Sequence, residues 1–402
     1  MQHSIELLEL ESGIFAKNAA AIATVSFFEG DLTQAYDFIK ERFESIVQAN
    51  PWLGGCLRKG FMAKRVNLDY DEIDSETLIF LNPEGLSIHS ELPYADITTS
   101  VEPYIVKKPQ HMLNTKEKVC SLVLTQNSKK QFAMIFSVSH SVVDGDGYYQ
   151  LLNMFSKENE VYALSAMRKD ETNVQIKNGV GRDTYDYFVG AAHVINALFG
   201  MATAKRAKVF AYYVDQKKIE EIKKAHTKSE ACEYISSNDI LSSSFAVFTK
   251  VRLLLMAINF RGKIKALTQK DAGNYEAVVL YDEDYYQNPC GIRQAISHEP
   301  YRGLGKPLPS FFEGLRCKMA LITNWATFSQ ELNLEGCKEI LHLPLNHASG
   351  KMPYEFAIIF RARGNEHAVA YYTNRFREED FTLSDLPVGN CVSTEIFSDH
   401  SA

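Results

Sequence analysis

The chain has 402 residues, more than the ~250–300 at which one hydrophobic core usually stops growing, so two domains or two fused halves are expected. Its 46% hydrophobic and 23% charged residues are typical of an ordinary globular protein. The formal charge of −7 argues against a general nucleic-acid binder, because neutralising phosphates needs clustered Lys and Arg.

The cysteines and the N-terminus indicate a compartment. Seven cysteines lie far apart with no C-x-x-C pair, a usage that suits free thiols in a reducing environment. The opening "MQHSIELLELESG" is acidic and has no basic segment leading into an apolar run, so no signal peptide is visible. We therefore expect a cytoplasmic protein.

The predicted elements of the first half end in a notable turn. "AAIATVSFFEG" reads as a strand, and "DLTQAYDFIKERFESIVQAN" as a helix capped by Asp31. "QFAMIFSVSH" is an apolar strand buried on at least one face, and "GYYQLLNMFSKENE" has apolar residues at helical spacing. His140 and Asp144 are thus predicted to lie in a strand-to-helix connection.

The middle of the chain contains the predicted boundary. The glycines and charges of "KNGVGRDTYDYF" favour a division into a first half over 1–180, a crossover segment over 181–204 and a second half over 205–402. The stretch from Phe188 to Lys208 approaches the length of a membrane span, but His193, Asn196 and several small residues dilute it. We expect a buried or interfacial crossover helix with a basic end, and no membrane span.

The second half mixes helices and strands. "SSNDILSSSFAVFTK" is predicted to be a helix that begins at a Ser237 or Asn238 cap. Later strands are "RLLLMAINF", "YEAVVLY", "KMALITNW", "YEFAIIFRAR" and "HAVAYYTN". The fold class is therefore α/β or α+β, with mixed sheets flanked by helices.

His140 is the candidate for chemistry. A neutral imidazole can take and return a proton near neutral pH, and Gly145 and Gly147 allow a tight exit that would fix where it points. A metal site is not expected, because these glycines disfavour a helix carrying His140 and Asp144, and Tyr148 stands where a calcium loop needs an oxygen ligand. A lone histidine at a strand end is more often structural, so the residues alone leave both roles open.

A family resemblance favours the catalytic role. "SHSVVDGDG" matches the H-x-x-x-D-G motif of the superfamily of CoA-dependent acyltransferases, including BAHD and alcohol acyltransferases, and condensation enzymes, which share the chloramphenicol acetyltransferase-like fold. "YISSNDILSSSF", "INFRGK" followed by "GNY", and "ITNWATF" resemble further motifs of that superfamily and occur in its order. The resemblance covers most of the chain.

Two departures limit the resemblance. Condensation domains usually carry two adjacent histidines, and Ser139 stands in the first of these positions, which favours an acyltransferase. The plant-type D-F-G-W-G motif is absent, and "NLEGCKEILHLP" occupies its approximate place. A divergent acyltransferase is the resulting expectation.

The resemblance implies two halves with a site in a tunnel between them, where an acyl group passes from acyl-CoA, as co-substrate, to a hydroxyl or amine of a small-molecule acceptor. It implies His140 as the general base, and Asp144, beside Gly145, as a carboxylate that points away from the substrate and pairs with Arg261. It assigns contacts with the oxyanion or the substrate to a strand that comprises Thr323, Asn324 and Trp325. Trp325 could equally be a core residue. An enzyme fed by an acyl carrier protein is the alternative, and a non-catalytic binding protein is a weaker one.

The donor's phosphates require cations. The sequence offers "TKVR" and "RGKIKALTQK", which supply Lys250, Arg252 and Lys263 as predicted cofactor-binding residues and Lys265 and Lys270 near them. Solvated surface lysines are the alternative interpretation, and an anionic carrier protein could use the same rim.

Overall fold

A computed structural model describes residues 3–128, 130–205, 207–229, 232–345 and 352–392. Its strands are β1 His3–Glu6, β2 Ile22–Glu29, β3 Cys56–Arg58, β4 Asn67–Tyr70, β5 Ile79–Leu81, β6 Cys120–Ser128, β7 Gln131–Val138, β8 Lys208–Val214, β9 Leu253–Asn259, β10 Glu276–Tyr281, β11 Met319–Asn324, β12 Lys338–Pro344, β13 Glu355–Arg363, β14 Glu366–Thr373 and β15 Val388–Cys391. Its α-helices are α1 Glu9–Ser12, α2 Ile14–Asn18, α3 Leu32–Ala49, α4 Tyr94–Val101, α5 Pro109–Met112, α6 Gly145–Asn153, α7 Asn173–Val180, α8 Arg182–Val189, α9 Ala191–Thr203, α10 Gln216–Ala225, α11 Ser237–Thr249, α12 Glu283–Tyr286, α13 Pro289–Ala295, α14 Phe311–Gly314 and α15 Glu378–Thr382.

One five-stranded sheet leads into the predicted histidine turn, which is the connection that contains His140 between β7 and α6. Its strand order is β12-β2-β7-β6-β5, with β5–β6 the parallel pair. β2 and β7 are almost entirely buried because each has a neighbouring strand on both sides and packed side chains on both faces. The predicted helix α3 begins at Asp31, whose side chain accepts a hydrogen bond from the Thr33 amide, and it buries Ile39, Phe43 and Ile46. These elements share one large hydrophobic core.

A seven-stranded sheet carries the predicted second-half elements. Its order is β10-β9-β11-β13-β14-β8-β15, and β9, β11 and β13 are parallel to one another. A second core lies against it and includes Ile240, Phe245 and Tyr371. A separate three-stranded sheet has the order β1-β4-β3. The helix-and-mixed-sheet architecture predicted from the sequence is confirmed.

One strand crosses from the second half of the sequence to the first sheet. β12 pairs antiparallel with β2, and His342 lies opposite Ser26. The five-stranded sheet is therefore built from both halves of the chain, while the division at residues 180 and 205 stays a prediction. A smaller correction concerns α11, whose cap is Ser236 rather than Ser237 or Asn238: its hydroxyl accepts from the Asp239 amide in a capping box.

The crossover segment consists of two helices, α8 and α9, separated by Gly190. A Cβ at Gly190 would lie 2.7 Å from the Asp186 carbonyl oxygen, so the sharp break needs glycine. α9 buries His193 and Ala197 but leaves other apolar side chains exposed, so the expectation of a buried helix holds for one face of it. Among the described residues, no helix is both long and apolar enough to cross a membrane. All seven cysteines are free thiols.

Candidate active site

His140 lies in the predicted strand-to-helix turn, just after β7. The Ser139 amide donates to the Val119 carbonyl at 2.8 Å and keeps the end of β7 in line with the sheet. Asp144 then caps α6, because its side chain accepts from the Gly147 amide at 3.0 Å. The histidine thus lies between a buried strand and a capped helix.

A buried ion pair fixes the far end of this turn. The Asp144 carboxylate accepts from Arg261 Nη1 at 2.6 Å and from the Tyr275 amide at 3.1 Å, and the side chains of the ion pair are almost fully buried. The other guanidinium donors reach the carbonyls of Asp271 and Gly273 at 2.9 and 2.8 Å. Burial opposes the charge on Arg261, but the carboxylates of Asp144, Asp146 and Glu276 together outweigh it, so the pKa of the guanidinium is raised. Asp144 is therefore held by Arg261 in the wall of a cavity.

A second polar network, which the sequence did not reveal, fixes the near end. Asn274 donates to the His140 carbonyl at 2.8 Å and, through both its amides, to the buried Glu11 carboxylate. Glu11 also accepts from Arg168 Nε at 2.8 Å, and Arg168 Nη2 donates to the Val142 carbonyl at 3.0 Å. The backbone on either side of the imidazole is therefore anchored to the second half and to α1.

The imidazole itself remains available. Its side chain is 32% exposed, and within the described part of the chain it makes no hydrogen bond. Nε2 lies 3.8 Å from Glu276 Oε1, which is too far for a hydrogen bond but within the distance of an ion pair when the ring holds a second proton. Glu276 lines the cavities described below, and its burial raises the pKa of its carboxyl.

Three cavities share Glu276 in their walls, and His140 lines two of them. A polar cavity of about 500 Å³ is lined by Ser236, Asn238, Asn259, Lys263, Arg293 and Asn324. A mixed cavity of about 270 Å³ is lined by His140, Lys108, Trp325, Tyr354 and Phe356. An apolar cavity of about 310 Å³ is lined by His140, Phe15, Tyr185, Phe188, Leu255 and Leu321. Ala257 and Glu276 belong to all three walls, so ligands in different cavities could approach one another at this point.

The predicted oxyanion strand, β11, lies in the same sheet as Glu276. Thr323, at the end of β11, lines both the polar and the mixed cavity. Asn324 is already engaged, since its amide donates to Asn238 Oδ1 at 3.1 Å. Trp325 is mostly buried and packs over the start of α6, where a Cβ at Gly145 would lie 3.3 Å from the indole nitrogen. Gly145 therefore allows the indole to approach the histidine turn closely.

The predicted basic rim is not one site. Lys263 lines the polar cavity, whereas Lys250 and Arg252 line a separate cleft of about 1510 Å³ that shares no lining residue with it. The two sites lie at opposite ends of α11. Ser236, before the helix, lines the polar cavity, whereas Lys250 follows the helix, and the 13 residues of α11 put its two ends about 20 Å apart. Arg293, which was not predicted, is the second cation that lines the polar cavity, and it is paired with Asp239 at 2.6 Å. The described residues contain no group of His, Cys, Asp and Glu side chains that could hold a metal ion.

Comparisons with known proteins identify the architecture. No protein-family model matches the chain, and no curated protein matches its sequence. Among solved structures, TRI101 from F. graminearum, complexed with ethyl coenzyme A, aligns with a TM-score of 0.64 and 12% identity over 95% of this chain and 96% of that one.

Two further structures agree. The first condensation domain of the calcium-dependent antibiotic synthetase, in complex with a substrate analogue, has a TM-score of 0.62, 12% identity, and coverage of 95% and 93% of the two chains. Polyketide synthase associated protein 5 from Mycobacterium tuberculosis has a TM-score of 0.62, 11% identity, and coverage of 95% and 96%. The chain therefore has the chloramphenicol acetyltransferase-like fold that its sequence motifs predicted.

Proposed function

We propose that the protein is an acyltransferase that moves an acyl group from an acyl-CoA thioester to a hydroxyl or amine of a small-molecule acceptor. The observation that carries the proposal is the position of His140: its imidazole makes no hydrogen bond to a residue that the structure describes, lines two of the three cavities that share Glu276, and lies on a turn anchored at both ends. The likeness to a protein complexed with ethyl coenzyme A supports the choice of donor.

The chemistry follows from this geometry. His140 accepts the proton of the acceptor's hydroxyl or amine while the acceptor oxygen or nitrogen bonds to the thioester carbonyl carbon. The C–S bond then breaks, and the proton passes from His140 to the departing thiolate. A thiol has a pKa of about 8.5, so the thiolate leaves far more readily than an alkoxide. Thr323 is our candidate donor to the developing oxyanion, an interaction that is typically worth about 2.7–4 kcal/mol.

The cavities differ enough to assign substrates. Lys263 and Arg293 line the polar cavity together with the carboxylates of Asp144, Asp146 and Glu276, and we assign the phosphates of coenzyme A to these two cations. The mixed and apolar cavities lie on the His140 side and suit the acyl chain and an acceptor with an apolar body. The donor would enter from one side and the acceptor from another, with the carbonyl between them.

A panel of acyl-CoA donors, each offered with alcohol and amine acceptors, tests the proposal by measuring free thiol. Thiol release that requires both an acceptor and His140 supports it, with His298→Ala as the control because this histidine is exposed outside the cavities. No release with any donor overturns the assignment and favours a binding protein of the same fold. Release only from an acyl-loaded carrier protein favours the condensation-type alternative, which the likeness to a condensation domain keeps open.

A matched pair of lysines tests the donor side. Lys263→Glu should raise KM for acyl-CoA and make it less sensitive to salt, while kcat changes little because the contact is remote from the carbonyl. Lys250→Glu should leave KM unchanged, since this lysine lies in the separate cleft. Equal effects of the two substitutions would contradict the assignment of the polar cavity.

A further inference from the structure

One face of α9 is apolar and uncovered. His193 and Ala197 are buried against the protein, whereas Ile195, Leu198 and Phe199 are 48%, 36% and 66% exposed. Their spacing places these three side chains on one side of the helix. Within the described part of the chain, no element packs over this side.

Helix α14 extends the same surface. A Cβ at Gly314 would lie 3.0 Å from Ala192, and Asn196 donates to the Cys317 carbonyl at 2.9 Å, so α14 packs directly against α9. Phe311 and Phe312 at its start are 50% and 80% exposed. We call the five side chains the apolar face: Ile195, Leu198, Phe199, Phe311 and Phe312.

Cations flank the apolar face. Phe312 also lines the separate cleft of about 1510 Å³, here called the basic cleft, whose cations are Lys250, Arg252, Lys306, Arg316 and Lys318. Lys306 is paired with Glu283 and Asp284, and Arg252 donates to the Pro307 carbonyl. As far as the structure describes the chain, Lys250, Arg316 and Lys318 make no ion pair. The nearby Glu313 carboxylate caps α14 by accepting from the Ser310 amide.

We propose that the apolar face and the basic cleft together dock on an anionic phospholipid bilayer. Separate, projecting aliphatic and aromatic side chains can insert at the boundary between headgroups and acyl chains, and unpaired cations beside them attract anionic headgroups. Exposed rings bordered by cations fit an anionic lipid surface better than a neutral apolar partner, which would leave the cations without a counter-charge.

The docking surface adjoins the candidate active site. Phe188, in the last turn of α8, lines the apolar cavity that reaches His140, and α9 follows directly after Gly190. Docking through α9 would therefore hold a wall of this cavity next to the lipid. If the proposed function holds, apolar acceptors or acyl chains drawn from the bilayer would reach His140 by a short route, but the docking itself does not depend on the reaction.

Vesicle co-sedimentation tests the proposal with the full chain. Wild type should bind phosphatidylcholine vesicles that contain phosphatidylserine, and bind pure phosphatidylcholine much less. Phe199→Ser with Phe312→Ser should weaken binding about tenfold or more through lost apolar insertion. Arg316→Glu with Lys318→Glu should weaken it about twentyfold or more, since each cation contributes about fivefold.

Matched controls separate docking from misfolding and from self-association. Phe80→Ser alters a 49% exposed phenylalanine at the edge of the five-stranded sheet, and Lys217→Glu with Lys224→Glu reverses exposed charges on α10; both should bind like wild type. Absence of binding by wild type, or binding that survives both sets of changes, would overturn the proposal. So would a dimer in size-exclusion chromatography that dissociates on Phe199→Ser with Phe312→Ser, because a second copy would then cover the face.

Discussion

Two regions of this protein each combine an arginine, a carboxylate and a histidine, but the two histidines have different surroundings. In the histidine turn, Arg261 and Asp144 form a buried ion pair at 2.6 Å, and His140 Nε2 lies 3.8 Å from Glu276. Around β12, Glu339 and Arg361 of β13 form a buried ion pair at 2.6 Å, and His342 Nδ1 lies 3.7 Å from the same Glu339.

The difference lies in what the two imidazoles bond to. Both nitrogens of His342 are occupied, Nδ1 by the Ser26 hydroxyl at 2.8 Å and Nε2 by the Tyr149 hydroxyl at 3.1 Å, and the ring is fully buried. Burial, reinforced by the charge of Arg361, holds the pKa of His342 well below its ordinary value, so the ring stays neutral and makes no ion pair. A carboxylate near a histidine therefore does not by itself indicate a catalytic role. A ring nitrogen that makes no hydrogen bond and faces a cavity is the better indication.

The largest expected effect is on activity at His140. His140→Ala should lower kcat/KM by about 10²–10⁴-fold, because general-base catalysis is lost, while the unfolding midpoint in urea hardly changes, because the imidazole bonds to nothing. Steady-state kinetics and urea titration of the same preparation check both halves. Wild-type turnover in the folded variant would remove the distinction between the two histidines.

Next comes the ion pair that anchors the turn. Asp144→Ala should destabilise the fold by about 3–5 kcal/mol, because Arg261 keeps an uncompensated buried charge and α6 loses its cap. The double change Asp144→Leu with Arg261→Met should recover part of this loss in urea unfolding. Simple additivity of the two single changes would show that the residues do not interact.

The sequence predicted the local parts of this comparison well. An apolar strand, two glycines and a helical pattern locate His140 in a turn, and the family resemblance implied the pairing of Asp144 with Arg261. These features depend on neighbours in the chain or on a motif. Both leave a signature in a short stretch of sequence.

The parts that were missed depend on strand register and helix length. Glu276 reaches His140 because β10 pairs with β9, and nothing in "GNYEAVV" reveals that partner. Likewise no strand was predicted at "KEILHLP", which forms β12 and completes the first sheet by pairing with β2. Lys250 and Lys263 are close in the sequence, but Lys250 follows α11 and Lys263 follows β9. The two lysines therefore line different cavities.

His342 should show the reverse of the His140 result. His342→Ala should cost about 2–3 kcal/mol in unfolding free energy, because buried hydroxyls of Ser26 and Tyr149 lose their partner, while kcat/KM of the folded enzyme stays near wild type. Urea titration and kinetics on the same preparation measure this. A large loss of kcat/KM with unchanged stability would place His342 in the chemistry.

The pH dependence of stability sharpens the test at His342. The pKa of His342 is depressed in the folded protein, so below about pH 6.5 the unfolded chain binds a proton at this ring and the folded protein does not. This group should therefore lower the free energy of unfolding as the pH falls below about 6.5, by up to about 1.4 kcal/mol per pH unit. Above about pH 6.5 its contribution should not change with pH. His342→Phe should lack this contribution. Parallel stability curves for the two proteins between about pH 5 and 8 would contradict the assignment.

The smallest expected effect distinguishes the two glutamates. Glu276→Gln removes the carboxylate 3.8 Å from His140 Nε2, which favours the protonated ring formed as the acceptor is attacked. Because the pair is partly exposed, kcat/KM should fall by only about fivefold. Steady-state kinetics and urea titration of the same preparation measure this change.

Glu339→Gln, the matched change beside His342, should instead lower stability by leaving Arg361 without its buried partner, and it should leave kcat/KM near wild type. If both substitutions lowered kcat/KM equally, or neither did, Glu276 would not act on His140, and the two histidine–glutamate pairs would be alike.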